Sequence, residues 1–158
     1  FTGFAEILSE MGATVVATGR PNQIMGEFQR KARVQPFVIF LRSLQGRPMV
    51  RCVSPIGRMS LERDEDPWGP EEDALAAKIV STQFTRLSVV RDTKFDAYDI
   101  AVEGDILLGD PTADQTRFSA LMEAVLVTAD DAECKLFKKD DTLATVKGSL
   151  VQEESVER

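Results

Sequence analysis

The sequence predicts an α+β domain: an antiparallel sheet packed by an N-terminal helix, a middle helix and a long C-terminal helix, in the order α-β-β-β-β-α-β-β-α. Three observations lead there. Two strand-like runs, FTRLSVVR and FDAYDIAVEGDILL, feed directly into one long segment, TRFSALMEAVLVTADDAECKLF, whose apolar residues recur at helical spacing. Before them, a short helical period and a series of β-rich runs separated by turn residues occupy the first third of the chain. At 158 residues, with 43% hydrophobic and 28% charged side chains, length and composition suit one ordinary globular domain.

Taken in order, Phe4, Ile7, Leu8 and Met11 lie on one helical face and Gly12 follows where a helix stops, which predicts a first helix over about residues 3 to 11. Ala13 to Thr18 reads as a strand through Val15 and Val16, and Gly19, Pro21 and Asn22 supply the turn after it. Residues from Ile24 to Ala32 alternate as a half-buried strand does. The run from Phe37 to Leu41 is apolar on both faces and predicts a central strand, and the turn Gln45-Gly46-Arg47-Pro48 returns the chain into a strand over Met49 to Val53. Glu62 to Asp73 is an acidic loop containing Trp68; Pro70 with Glu71, Glu72 and Asp73 then suits a helix start, with Leu75 and Ile79 facing the sheet. Thr112 and Gln115 read as a capping box for the closing helix, about 113 to 137, and Phe118, Leu121, Met122, Val125, Ala129, Ala132 and Leu136 form its apolar stripe. One domain over 1–137 is expected, and 138–158 is a polar extension with room for a short strand at Thr142 to Val146 before a mobile tail.

Charge divides unevenly along the chain. Between Arg20 and Arg58, Arg20, Arg30, Lys31, Arg33, Arg42, Arg47, Arg51 and Arg58 face the single acid Glu27, a balance of +7, so a net charge of −7 leaves −14 on the remainder. A basic sheet region on an acidic body suits an acidic partner or the acidic surface of a second copy. No apolar run approaches the roughly 20 residues that span a bilayer, and the opening residues are acidic where an export signal is basic, so a cytoplasmic protein is expected. Cys52 and Cys134 read as two unpaired thiols.

Histidine is absent, which removes the commonest general base and transition-metal ligand. No phosphate-binding glycine loop is present. Asp64 to Gly69 opens like a calcium loop, but Leu75 stands where a bidentate Glu is needed. Carboxylate pairs such as Asp96 with Asp99, or Glu103 with Asp105, read as wet-face charges rather than as a glycosidase acid and base. No catalytic residue, cofactor or metal site is therefore assigned, and the protein is expected not to be an enzyme.

In element order, and in the residues EEDALAAKIVSTQFTRLSVVRDTKFDAYDIAVEGDILL followed by TRFSALMEAVLVTADDAECKLF with Ala129-Asp130-Asp131 near the helix end, the chain resembles the type III secretion chaperone-like fold and, within it, the YbjN-like bacterial sensory transduction regulators. The resemblance implies a domain that pairs into homodimers and binds polypeptide in grooves without catalysis, and it carries no functional residue over. The function expected is that of a non-catalytic protein-binding domain, chaperone-like or regulatory. Candidate partner-binding residues are Met49, Val53 and Ile56 with the basic positions Arg47, Arg51 and Arg58, and Trp68 as an aromatic anchor. The alternative is a nucleic-acid module using residues 20–58, in which Phe28, Phe37 and Phe40 interleave with Arg30, Arg33 and Arg42, although no RNP-like motif accompanies them; an uncharacterised enzyme stands third.

Overall fold

Alternating apolar residues need partner strands, and in the computed structural model they find them in one six-stranded antiparallel sheet with strand order β1-β2-β3-β4-β6-β5. The structure describes residues 2–16, 18–30, 33–60, 74, 77, 78, 85–94 and 97–137. The strands are β1 (Ala13–Val16), β2 (Gln23–Arg30), β3 (Arg33–Leu44), β4 (Arg47–Ser60), β5 (Arg86–Asp92) and β6 (Ala97–Leu107), flanked by helices α1 (Thr2–Glu10) and α2 (Pro111–Ala132). Ala74, Ala77 and Lys78 are helical and exposed. The rest of the expected middle helix, the Trp68 loop and the strand expected at Thr142 to Val146 lie outside the described residues.

Both helices cover the same sheet face. Phe118, Leu121, Met122, Val125, Leu126 and Ala129 of α2 are fully buried in one cluster with Leu8 of α1 and with Phe37, Ile39, Val50, Cys52, Val102 and Ile106 of the sheet. Phe4 stacks on Phe118 with ring centroids 4.2 Å apart, which fixes α1 against α2. Gly26 of β2 leaves no room for a side chain: a Cβ there would stand 2.5 Å from the Thr14 carbonyl oxygen and 2.8 Å from the Phe37 ring. Among the described residues no helix is long and apolar enough to cross a membrane.

Several elements differ from expectation for identifiable reasons. The helix cap is Asp110, whose side chain accepts from the Thr112 N–H, in place of the expected Thr112 and Gln115 box. Pro111 fits the first turn because the N–H it lacks would have been unsatisfied there, and Asp114 reaches back to accept from the Gly109 N–H at 2.9 Å. The helix ends in a π-helical turn over Glu133–Phe137. Strand β4 continues past Val53 to Ser60 because a register shift between Pro55 and Gly57 absorbs the proline's missing donor. Buried Gln35 secures that irregularity, donating to Ser54 Oγ at 2.7 Å and to the Pro55 carbonyl at 3.1 Å. The hairpin joining β3 to β4 turns through Gln45 and Gly46, both at positive φ, as a two-residue turn requires.

Candidate functional site

Side-chain alternation gives the sheet a second face, turned away from α2. Its centre is a separate buried apolar cluster of Met25, Val38, Phe40, Val53 and Ala101. Register then dictates what surrounds it: Arg51 lies opposite Phe40 on one side and Asp105 on the other, Val53 lies opposite Glu103, and Glu103 lies opposite Arg86. Arg51 Nε donates to Asp105 at 2.8 Å, and Arg86 bridges Glu103 at 2.7 Å and Asp105 at 2.9 Å. Further along, Arg58 donates to Asp99 at 2.8 Å and to buried Asp92 at 2.7 Å. The hydrogen bond to Asp99 is the main reason the Arg58 guanidinium holds its proton even more firmly than usual. The Arg42 guanidinium sits 4.7 Å from the centre of the Phe40 ring, a cation–π contact.

A second ionic group ties the sheet to the end of α2. Arg30 donates to Asp131 at 2.7 Å and to Asp130 at 3.2 Å; Arg33 donates to Asp130 at 2.8 Å and to Glu133 at 3.2 Å. Asp130 and Glu133 are buried, whereas each arginine side chain keeps about a quarter of its surface in solvent. The hydrogen bond to Asp131 leads the effects that raise the Arg30 pKa. The basic stretch between Arg20 and Arg58 is thus bound, through Arg30, Arg33, Arg51 and Arg58, to carboxylates contributed by residues 92 to 133. The uneven charge along the chain becomes pairing within the fold.

The residues singled out from sequence do not gather into one exposed patch. Met49, Val53 and Ile56 are 7%, 0% and 0% exposed, and Ile56 belongs to the helix-side cluster rather than to the face that carries Val53. Val53 and Ile56 each belong to an apolar cluster, on opposite faces, and β4 is a central strand flanked by β3 and β6. Arg51 and Arg58 are engaged as described, Arg47 is exposed at the hairpin turn, and Trp68 lies outside the described residues. Phe37 and Phe40 are buried, so they present no open ring for a nucleobase. Glu103 and Asp105 share Arg86 and do not flank an open space as a glycosidase pair would.

What the sequence reading passed over is the edges. Val15 and Val16 are each 40% exposed on β1, and Val89 is 58% exposed on β5; both strands are at the margins of the sheet. The signal was present in the doubled valines, since adjacent strand residues point to opposite faces and such a pair at an edge leaves an apolar side chain on each.

The two thiols behave differently. Burial pushes the Cys52 thiol strongly up, reinforced by the negative charges of Asp105 and Glu103, while Cys134 is exposed. The native protein is therefore expected to react with an aromatic disulfide reagent at one thiol near pH 8 and at two after denaturation, and Cys134→Ser should remove the native reaction. Rapid modification of two thiols in the native state would show Cys52 to be accessible. Because the unfolded Cys52 ionises near its ordinary value and the folded one does not, this group withdraws stability as pH rises beyond about 8.5.

No family model matches the chain, and no curated protein matches its sequence.

Proposed function

We propose that this chain is a non-catalytic protein-binding domain, chaperone-like or regulatory, that takes extended polypeptide at the margins of its sheet and works as a cytoplasmic homodimer. The finer architecture, secretion chaperone-like with a middle helix between β4 and β5, and kinship with the YbjN-like regulators belong to the same proposal. One observation carries it: of the large apolar side chains left exposed among the described residues, Val15, Val16 and Val89 stand on edge strands that pair on one side only. An edge strand with uncovered apolar side chains offers both a backbone ladder and a side-chain anchor to an incoming strand. Arg30 and Arg33, two of the guanidiniums that a nucleic-acid reading would use, are committed to carboxylates, so phosphate would have to break those pairs first.

The test is a titration of labelled extended apolar peptides, and in parallel of labelled single-stranded RNA, at low and high salt. Peptide binding that barely changes with salt and falls about tenfold in Val16→Lys is the expected result, since a charge on the exposed edge opposes an apolar strand. RNA binding that collapses with salt, with no peptide binding, would replace this reading with the nucleic-acid one.

A further inference from the structure

A strand pairs antiparallel with a second copy of itself about a single residue, and the choice of that residue fixes every opposed pair. With the two-fold axis normal to the sheet, opposed residues must also share a face. Strand β5, Arg86–Asp92, is seven residues long, and its central residue is Val89. Centred there, Arg86 of one copy stands opposite Asp92 of the other, Leu87 opposite Arg91, Ser88 opposite Val90, and Val89 opposite Val89. At both ends Arg86, 42% exposed, meets Asp92, a carboxylate only 1% exposed that already accepts from Arg58 and from the Lys94 N–H, so like charges are kept apart there; and the most exposed large apolar side chain among the described residues is covered by its own counterpart. Neighbouring registers are worse: centring on Val90 sets Arg86 against Lys94, and centring on Ser88 sets Arg86 against Val90 and Thr85 against Arg91. Strand β1, four uncharged residues, has no such preference.

The ionic rows make the same match. Within one copy Arg51, Asp105 and Arg86 run toward the β5 edge, and Asp92 on that edge is held by Arg58, which also holds Asp99. Centring on Val89 places Arg86 beside Asp92 of the second copy, so that the alternation of signs continues from one sheet into the next. The geometry points to β5 as a self-complementary edge at which two copies of this chain join their six-stranded sheets into one continuous antiparallel sheet. This rests on the homodimer part of the reading above and leaves the β1 edge for a polypeptide client. A single strand pair covers less than a standard interface, so the association is concentration-dependent.

Two measurements test it. In a Cys134→Ser background, Val89→Cys should form a disulfide-linked dimer under mild oxidation, because directly opposed residues have Cβ atoms about 4.5–5.5 Å apart. Ser88→Cys should not, because it faces Val90 and meets its own counterpart only on the diagonal. By sedimentation equilibrium the parent should associate at tens of micromolar, and Val89→Asp should weaken association at least tenfold with its melting temperature unchanged. A parent that is a strict monomer would overturn both this interface and the homodimer. A dimer that ignores Val89→Asp and cross-links no better through Cys at 89 than at 88 would overturn the β5 interface alone, and peptide binding at β1 that survives either result would leave the protein-binding reading intact.

Discussion

Leu121→Asp is expected to leave no cooperatively folded protein. Leu121 is fully buried at the centre of the α2 stripe, between the helix and the strands that carry Phe37, Ile39, Val50 and Val102. A carboxylate placed there finds no partner and must either ionise in an apolar surrounding or stay protonated with its hydrogen bonds unmade. Either costs several kcal/mol against a total stability of roughly 5–15 kcal/mol. Leu121→Ala separates burial from charge: it should cost about 2–5 kcal/mol and give a folded protein of lower melting temperature. Circular dichroism melts of the two variants decide the matter. If Leu121→Asp unfolds within a few degrees of the parent, the stripe does not face the core.

That stripe was legible in the sequence because it is local. Phe118, Leu121, Met122, Val125, Ala129, Ala132 and Leu136 repeat at helical spacing, and all are buried. The strands were legible in kind but not in extent. Strand β4 was expected to stop at Val53 and runs to Ser60, since only its pairing with β6 makes Pro55 and Gly57 tolerable within a strand. Strand β3 was expected over the apolar run at Phe37 to Leu41 and extends to Arg33 and Leu44, where cross-strand pairing rather than composition sets the ends. The proposed interaction positions were the hardest to read. Whether Met49 and Val53 are surface or interior depends on strand order, and β4 becomes central only when β6 inserts between it and β5. The ionic links share that character: Arg30 and Asp131 are 101 residues apart, and no window of local sequence contains both.

The second large effect follows from those long links. Arg33 donates through Nε to Asp130 and through a terminal nitrogen to Glu133, and both carboxylates are withdrawn from water at the end of α2. Arg33→Ala removes the fork and leaves the two acids with less compensation in a site that the rest of the fold keeps closed. Breaking a fully buried pair costs about 3–5 kcal/mol; since the arginine side chain itself retains solvent, about 2–3 kcal/mol is expected here. For a chain of this length that lowers the melting temperature by about 5–10 °C. Arg33→Lys should recover only a fraction, because a single ammonium cannot reproduce two donors at fixed angles. A double-mutant cycle of Arg33→Ala with Asp130→Asn should show coupling, because the amide introduced by the second change no longer carries the charge that Arg33 neutralises. Additive losses, or an Arg33→Ala melt that coincides with the parent, would mean that α2 is held by its apolar stripe alone and that the charges at its end are solvated.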